Sequence, residues 1–329
     1  MKSLVTRYAV AAALALALPF TARAESAAAY PSKPIHIIVP YSAGGIVDTL
    51  ARIVGERLSK KYGQPVIVET KPGAGGAIGN EYVVKAAPDG YTLLCVSPGL
   101  AVLPSLQKNA DWTAASFEGV EGLGVISNVW VVPASSPIKT MSDLIAVAKK
   151  KAASGAPMTY ATAGIGTSNY LSGELLSQMT GIKLTQVPYK GQPDALTDLL
   201  AGRVESMPLT AALAQAHVKS GQLRPLAVTT KQRSSAFPEL PTVAQAIDLP
   251  DYAVGTWFGF VAPAKTPPAI IEKLSKDIAE IIAEPEPKKK LAALGMELDP
   301  QNAKEFNAYI AAETARWSKV IRQAGIKPQ

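Results

Sequence analysis

Ile35-His36-Ile37-Ile38-Val39-Pro40-Tyr41-Ser42-Ala43-Gly44-Gly45-Ile46-Val47-Asp48 passes from a β-branched apolar run, through a proline and two glycines, into apolar positions at helical spacing. Ile46, Leu50, Ile53, Val54 and Leu58 continue that spacing, so the stretch reads as strand, tight turn and helix. Such a turn leaves the first backbone N–H groups of the helix unpaired, with the positive end of the helix dipole behind them. It is a seat for a carboxylate or a phosphate. Any α/β protein also needs such turns, and Gly44-Gly45 could serve only to let the chain bend.

The same theme returns about 120 residues later. Met158 to Thr162 reads as a strand, Ala163-Gly164-Ile165-Gly166-Thr167-Ser168-Asn169 as a glycine turn, and Leu171, Leu175 and Leu176 as the inner face of a helix closed by Gly181. Each unit is expected to start its own α/β domain, with a mostly parallel sheet and ligand contacts at the carboxyl ends of its strands.

The N-terminus bears on the compartment. Lys2 and Arg7 precede the apolar run Ala9 to Phe20, and Ala22-Arg23-Ala24 fits a small-x-small cleavage site. Residues 1–24 are therefore expected to be a cleaved secretory signal peptide, the run being too short for a membrane anchor. Lys2, Arg7 and Arg23 leave with it and no acid does, so the formal charge of +7 falls to +4. Lys149-Lys150-Lys151 and Lys288-Lys289-Lys290 stand where helices are expected to end, as the dipole favours, and no nucleic-acid motif accompanies them. Cys95, the single cysteine, lies in Leu93-Leu94-Cys95-Val96 and reads as a buried strand residue.

Between the two units, Gly63 is expected to cap the first helix, Val66 to Val68 to form a strand, and Lys71 to Gly79 a second glycine-rich turn into a helix ending near Ala87. That turn lacks the dinucleotide fingerprint, because Ile78 stands three after Gly75. Tyr91 to Val96 reads as a strand, residues 100–121 as irregular, and Thr140-Met141-Ser142-Asp143 as a capping box. Later elements are strands at 185–187, 204–207 and 225–229, helices at 193–201 and 211–219, and a C-terminal helix from Ala303 to Ala324 stopped by Gly325. Extended crossings near 128–133 and 250–257 resemble paired hinge strands, dividing the mature chain into 25–129, 130–252 and a returning segment 253–329.

Catalytic chemistry is hard to place. His36 is flanked by isoleucines within a strand, which suits a hydrogen-bonded structural role, and His217 sits on an alanine-rich helix. HExxH, CxxC, Walker A and G-x-S-x-G patterns are absent, and Ser136-Pro137-Ile138-Lys139 matches S-x-x-K only with a proline inside it. No enzyme activity, metal or cofactor is expected. What remains is an anion seat at glycine turns carrying the hydroxyls of Ser42, Ser97, Thr167 and Ser168.

The ordered motifs Tyr30-Pro31-Ser32-Lys33-Pro34-Ile35, Val39 to Gly45 with Asp48, Pro72 to Gly76, Ala87-Pro88-Asp89-Gly90-Tyr91-Thr92-Leu93, Gly164 to Asn169, Val187-Pro188-Tyr189-Lys190-Gly191, Leu199 to Gly202 and Trp257-Phe258-Gly259 resemble one family. It is that of the Bug-type extracytoplasmic solute receptors of tripartite tricarboxylate transporters. The resemblance implies a two-lobed, type II-like periplasmic binding protein, a Venus flytrap whose lobes are sheets flanked by helices. It implies a periplasmic monomer that holds a di- or tricarboxylate, an aromatic acid or an acidic amino acid and delivers it to membrane permease subunits. Carried over by position, the ligand-binding residues are Tyr41, Ser42, Ala43, Gly44, Gly45 and Asp48; Ala163, Gly164, Gly166, Thr167, Ser168 and Asn169; and Ser97, Pro208 and Thr210 on the walls. Asp48 would orient its turn or bind an amino group. Tyr170 stands where the family often has histidine, and Pro208-Leu209-Thr210 where it often has a phenylalanine-aspartate-asparagine-like stretch. With fewer polar groups there, the pocket is expected to suit an apolar or aromatic acid. A sensory role beside a signalling protein, or a bilobal enzyme, are the alternatives.

Overall fold

The computed structural model describes residues 29–108 and 110–323, with Ile326 and Pro328. The signal peptide and the stop at Gly325 lie outside the described residues. Strand β1 (Ile35–Val39) pairs in parallel with β2 (Val66–Thr70) and β3 (Thr92–Val96). Beyond β3 the sheet turns antiparallel, through β9 (Gly255–Pro263), the first half of β4 (Phe117–Pro133) and β10 (Met296–Gln301), giving the order β2-β1-β3-β9-β4-β10.

The second half of β4 belongs to the other lobe, where β7 (Met207–Thr210) and β8 (Leu223–Val228) flank it antiparallel. A bridge from Ser206 to Tyr160 joins β7 to the parallel pair β5 (Met158–Thr162) and β6 (Leu184–Pro188). Partners change between consecutive residues of β4: Ser127 stands opposite Gly255, and Asn128 opposite Thr210. The return passes from Val228, the last residue of β8, to Gly255, the first of β9.

The expected helices form for the expected reasons. In α1 (Ile46–Tyr62), Leu50, Val54 and Leu58 are buried, and Gly63 closes the helix at φ 64°, its N–H returning to Ser59 O. Thr140 and Asp143 make the reciprocal capping box of α4 (Met141–Ala153). Gly181 caps α5 (Ser168–Thr180), and Pro268 opens α9 (Pro268–Ala283) at the position that tolerates its missing N–H. The remaining helices are α2 (Ala77–Val84), α3 (Gly99–Leu106), α6 (Gln192–Leu200), α7 (Ala211–Lys219), α8 (Val243–Ala246), α10 (Pro285–Ala293) and α11 (Ala303–Gln323). Among the described residues no helix is long and apolar enough to cross a membrane.

Residues 100–121 are not irregular as expected: Gly99–Leu106 is helical and β4 already begins at Phe117. The sequence Gly-Leu-Ala-Val-Leu-Pro-Ser-Leu has no polar face to betray a helical period, because nearly all of α3 is buried. The start of β4 is hidden by Gly119, Gly122 and Gly124, which are poor strand formers in isolation. Tertiary packing explains them. The ring of Phe306, on α11, occupies the space a side chain at Gly122 or Gly259 would need, and Asn307 fills the place over Gly119. Burying Phe306 contributes about 1.5–3 kcal/mol. The strand expected at 204–207 is displaced to Met207–Thr210, with Pro208 inside it opposite Trp130.

Candidate functional site

A cavity of about 40 Å³ lies between the lobes. The turn between β1 and α1 supplies Tyr41, Ser42 and Gly45 to its wall, Ser97 follows β3, and Ala163, Thr167, Ser168 and Asn169 come from the second glycine turn and the start of α5. These are eight of the fifteen residues expected from the sequence. The wall also contains Ile46 and Val47, the segment Gly191-Gln192-Pro193, and Thr256 and Phe258 of β9.

Three helices therefore begin at this cavity: α1 after Gly45, α5 after Thr167 and α6 after Gly191. Apart from Pro193, which has no N–H, and Tyr170, whose N–H goes to Thr167 Oγ1, their first-turn N–H groups have no acceptor within their own helices, and Asp48 and Asp194 stand in the first turns of α1 and α6. Among the described residues no lysine, arginine, aspartate or glutamate lines the cavity. Its direct donors are therefore backbone N–H groups and hydroxyls. Tyr41 and Ser97 bond to each other at 2.9 Å. Burial pushes the Tyr41 phenol up to about 12 against the pull of that hydrogen bond, so it stays protonated near neutrality.

The other expected residues stand behind or beside the wall. Asp48 is buried; Oδ2 accepts from Gly44 N at 3.0 Å and Oδ1 pairs with Arg52 at 2.9 Å. Its carboxylate holds the turn and answers its own helix; Oδ1 has the Arg52 ion pair and no hydrogen bond. Gly44 takes φ 79°, a conformation glycine adopts without penalty, while neither it nor Ala43 lines the cavity. Asn169 Nδ2 donates to Pro208 O, and Gln192 Oε1 accepts from both the N–H (3.0 Å) and the hydroxyl (2.9 Å) of Thr210. Pro208 and Thr210 are in this way committed to a network that braces Asn169 and Gln192, and they do not reach the cavity.

Gly164 and Gly166 take up another task. A Cβ on Gly164 would stand 2.8 Å from Gly75 Cα, and one on Gly166 would stand 2.7 Å from Leu103 Cδ2, both in the opposite lobe. Ser42 Oγ donates across the same boundary to Asp194 Oδ2 at 2.9 Å. The lobes are closed on each other. A wider groove of about 620 Å³, walled by Gly75 and Leu103 from one lobe and Ile165 and Tyr189 from the other, lies beside these contacts.

The segment Gly191-Gln192-Pro193 had a readable signal, a glycine after a strand with proline at a helix start. Phe258 lies in one of the motifs that carry the resemblance, but nothing local places it or Thr256 at the cavity; the return of β9 beside β3 and β4 does. Among the described residues no cluster of three or more histidine, cysteine, aspartate or glutamate side chains could hold a metal.

Comparison with known proteins agrees with this fold. Residues 50–326 match the family described as tripartite tricarboxylate transporter family receptor. The chain is 33% identical to Protein BugT of Bordetella pertussis, over 92% of each chain. The periplasmic binding protein BugD superposes with a TM-score of 0.85 at 31% identity, over 91% of this chain and all of that one. A protein of R. palustris, Rpa4515 with adipate, gives a TM-score of 0.85 at 33% identity with the same coverage.

Proposed function

The chain belongs to the Bug-type receptors of tripartite tricarboxylate transporters, and from that premise we propose that it captures a small organic acid in the periplasm, in the cavity between its lobes, and hands it to membrane permease subunits. The observation that carries the ligand class is the convergence of three helix N-termini on a cavity with no charged side chain in its wall. The N-terminus of α5, with no acid in its first turn, suits a carboxylate, while Asp48 and Asp194 offset part of the charge at the starts of α1 and α6. Charge-assisted bonds from N–H groups and hydroxyls contribute roughly 1.5–3 kcal/mol each, enough to hold such a ligand and still release it. The adipate of the R. palustris relative is an acid of this kind.

Ile46, Val47, Pro193 and Phe258 surround the rest of the cavity, so the body between or beyond the carboxylates is apolar. With no ionisable group of the right range in the wall, apart from the high-titrating Tyr41, the ligand meets donors and no general base, which supports a receptor over a catalyst. Lobe boundaries near 129/130 and 252/253 belong to the same proposal, set beside the change of strand partners after Ser127. Ligand touches both lobes only when they are closed, and binding accordingly favours closure.

A thermal-unfolding scan of the purified protein against adipate, malate, citrate, benzoate and glutamate tests the reading. A ligand at 100 times its Kd adds about 2.7 kcal/mol and raises the midpoint by roughly 5 °C. Stabilisation by apolar-bodied acids is the expected result. No response from any acid, with no small molecule released on denaturation, would overturn it. Loss of uptake of the stabilising acid on deletion of the protein distinguishes transport from sensing.

A further inference from the structure

Where β4 changes sheets, three side chains from distant parts of the chain meet. Asn128, fully buried, donates from Nδ2 to Ser168 Oγ at 3.0 Å, and its Oδ1 accepts from Thr256 Oγ1 at 3.2 Å. Thr256 Oγ1 stands 2.6 Å from Ser168 Oγ, which closes the ring. Thr256 belongs to the first lobe, on β9 opposite Ile126. Ser168 begins α5 in the second lobe, and Asn128 is the first residue of β4 to pair there. The 2.6 Å bond therefore crosses from lobe to lobe beside the pivot.

Ser168 and Thr256 line the cavity, while Asn128 stands behind them. Two other pivot bonds, Ser127 Oγ to Thr230 Oγ1 at 3.0 Å and Thr229 Oγ1 to Val254 O at 2.6 Å, tie the crossing strands together without reaching the cavity. The ring alone of these joins pivot and site. Turning the lobes about the bond between Ser127 and Asn128 moves Ser168 against Thr256. Large opening must then break a buried hydroxyl pair, and an unpaired buried hydroxyl is unfavourable.

We infer that Asn128 and Thr256 are positioning residues of the carboxylate site: they hold the Ser168 hydroxyl at the cavity wall and set the lobe angle at which the cavity is complete. The inference rests on the reading that this cavity is the ligand site, but its test does not need a bound ligand.

Thr256→Val removes the hydroxyl at nearly constant shape, and Thr256→Ser restores it. Spin labels at Lys85→Cys in the first lobe and Gln178→Cys in the second, both exposed positions, report the lobe separation in the ligand-free protein. Thr256→Val and Asn128→Ala are each expected to shift the distance distribution outwards, and Thr256→Ser to return it to that of the parent. Adipate affinity, where adipate binds, is expected to fall about tenfold in Thr256→Val and Asn128→Ala and to recover in Thr256→Ser. Unchanged distances in Thr256→Val, or equal effects of valine and serine, would overturn the inference. So would weaker adipate binding in Thr256→Val with distances unchanged, which would make Thr256 a plain ligand contact. Failure of adipate to bind the parent protein would count against the ligand assignment and leave the distance result to decide the inference.

Discussion

The backbones of Gly75 and Gly164 meet across the cleft so closely that a Cβ on Gly164 would stand 2.8 Å from Gly75 Cα, and one on Gly75 would overlap Ile165 O. Closure thus brings main chain against main chain. Both glycines hold positive φ, 66° and 109°, so replacing either also strains its own turn.

Gly191 separates the two effects. Its φ of −171° is open to any residue, yet its Cβ would stand 2.9 Å from that of Ser42 in the other lobe. Gly191→Val is expected to weaken ligand binding at least tenfold by propping the lobes apart, with the ligand-free unfolding midpoint moved by no more than about 2 °C. Calorimetric titration with the stabilising acid and a melting curve check both halves; normal affinity would remove Gly191 from the closing surface.

The Ser42–Asp194 bond is a hydrogen bond to a carboxylate that spans the cleft at 2.9 Å. A double-mutant cycle with Ser42→Ala and Asp194→Ala, read in ligand affinity, is expected to give a coupling of about 0.5–1 kcal/mol, held down by the exposure of Asp194. Additive effects would show that the pair contributes nothing to closure.

Glu121 is buried under α9, where Ser275 Oγ donates to it at 2.6 Å. Burial pushes its carboxyl from 4.5 up to about 7, against the pull of the Ser275 bond and with the charge of Glu305 adding to the rise. The folded chain then binds a proton more tightly than the unfolded one. This contribution to stability is complete below about pH 4.5 and is lost as pH rises through about 7. Glu121→Gln stays neutral throughout, so it is expected to raise the urea midpoint near pH 8, by up to roughly 3 kcal/mol of stability, and to leave it nearly unchanged near pH 4.5. The reverse ordering of the two pH values would contradict the burial argument.

Cys95 has no exposed surface, and its Sγ–H points to Val47 O at 3.7 Å beneath the first turn of α1. Burial pushes its thiol far above the ordinary range. Thiol reagents are expected to leave the native protein unlabelled and to react fully in denaturant. Rapid labelling of the native protein would mean that the start of α1 opens readily.

Much of this architecture can be read from local pattern, and what cannot has a physical reason. Strand, glycine turn and helix at residues 35–58 and again at 158–176 carry period and punctuation on the page, and both units form. Gly119 and Gly122 look like loop until Phe306 and Asn307, far along the chain, fill the space over them. The site divides in the same way. Ser42, Ser97, Thr167 and Ser168 sit at turns whose chemistry is visible locally, whereas Thr256 and Phe258 arrive by antiparallel pairing with strands more than a hundred residues upstream. Asp48 shows the limit of residue type: a carboxylate at a helix start suits turn orientation, an amino ligand or the helix dipole alike, and the position of Gly44 N shows that one of its oxygens holds the turn.

The placement of β9 between β3 and β4 also orders the chain's assembly in time. The first lobe's sheet joins Leu94 to Val261 and Gly122 to Gly259, so its first three strands must wait for residues beyond 255 before their neighbour exists. The second lobe draws on the half of β4 already made and on residues up to Tyr252, whose hydroxyl bonds Trp130 and Ser172. A chain emerging from its N-terminus can therefore complete its middle before its beginning, and the long-range pairing of β3 with β9 is what joins the two ends.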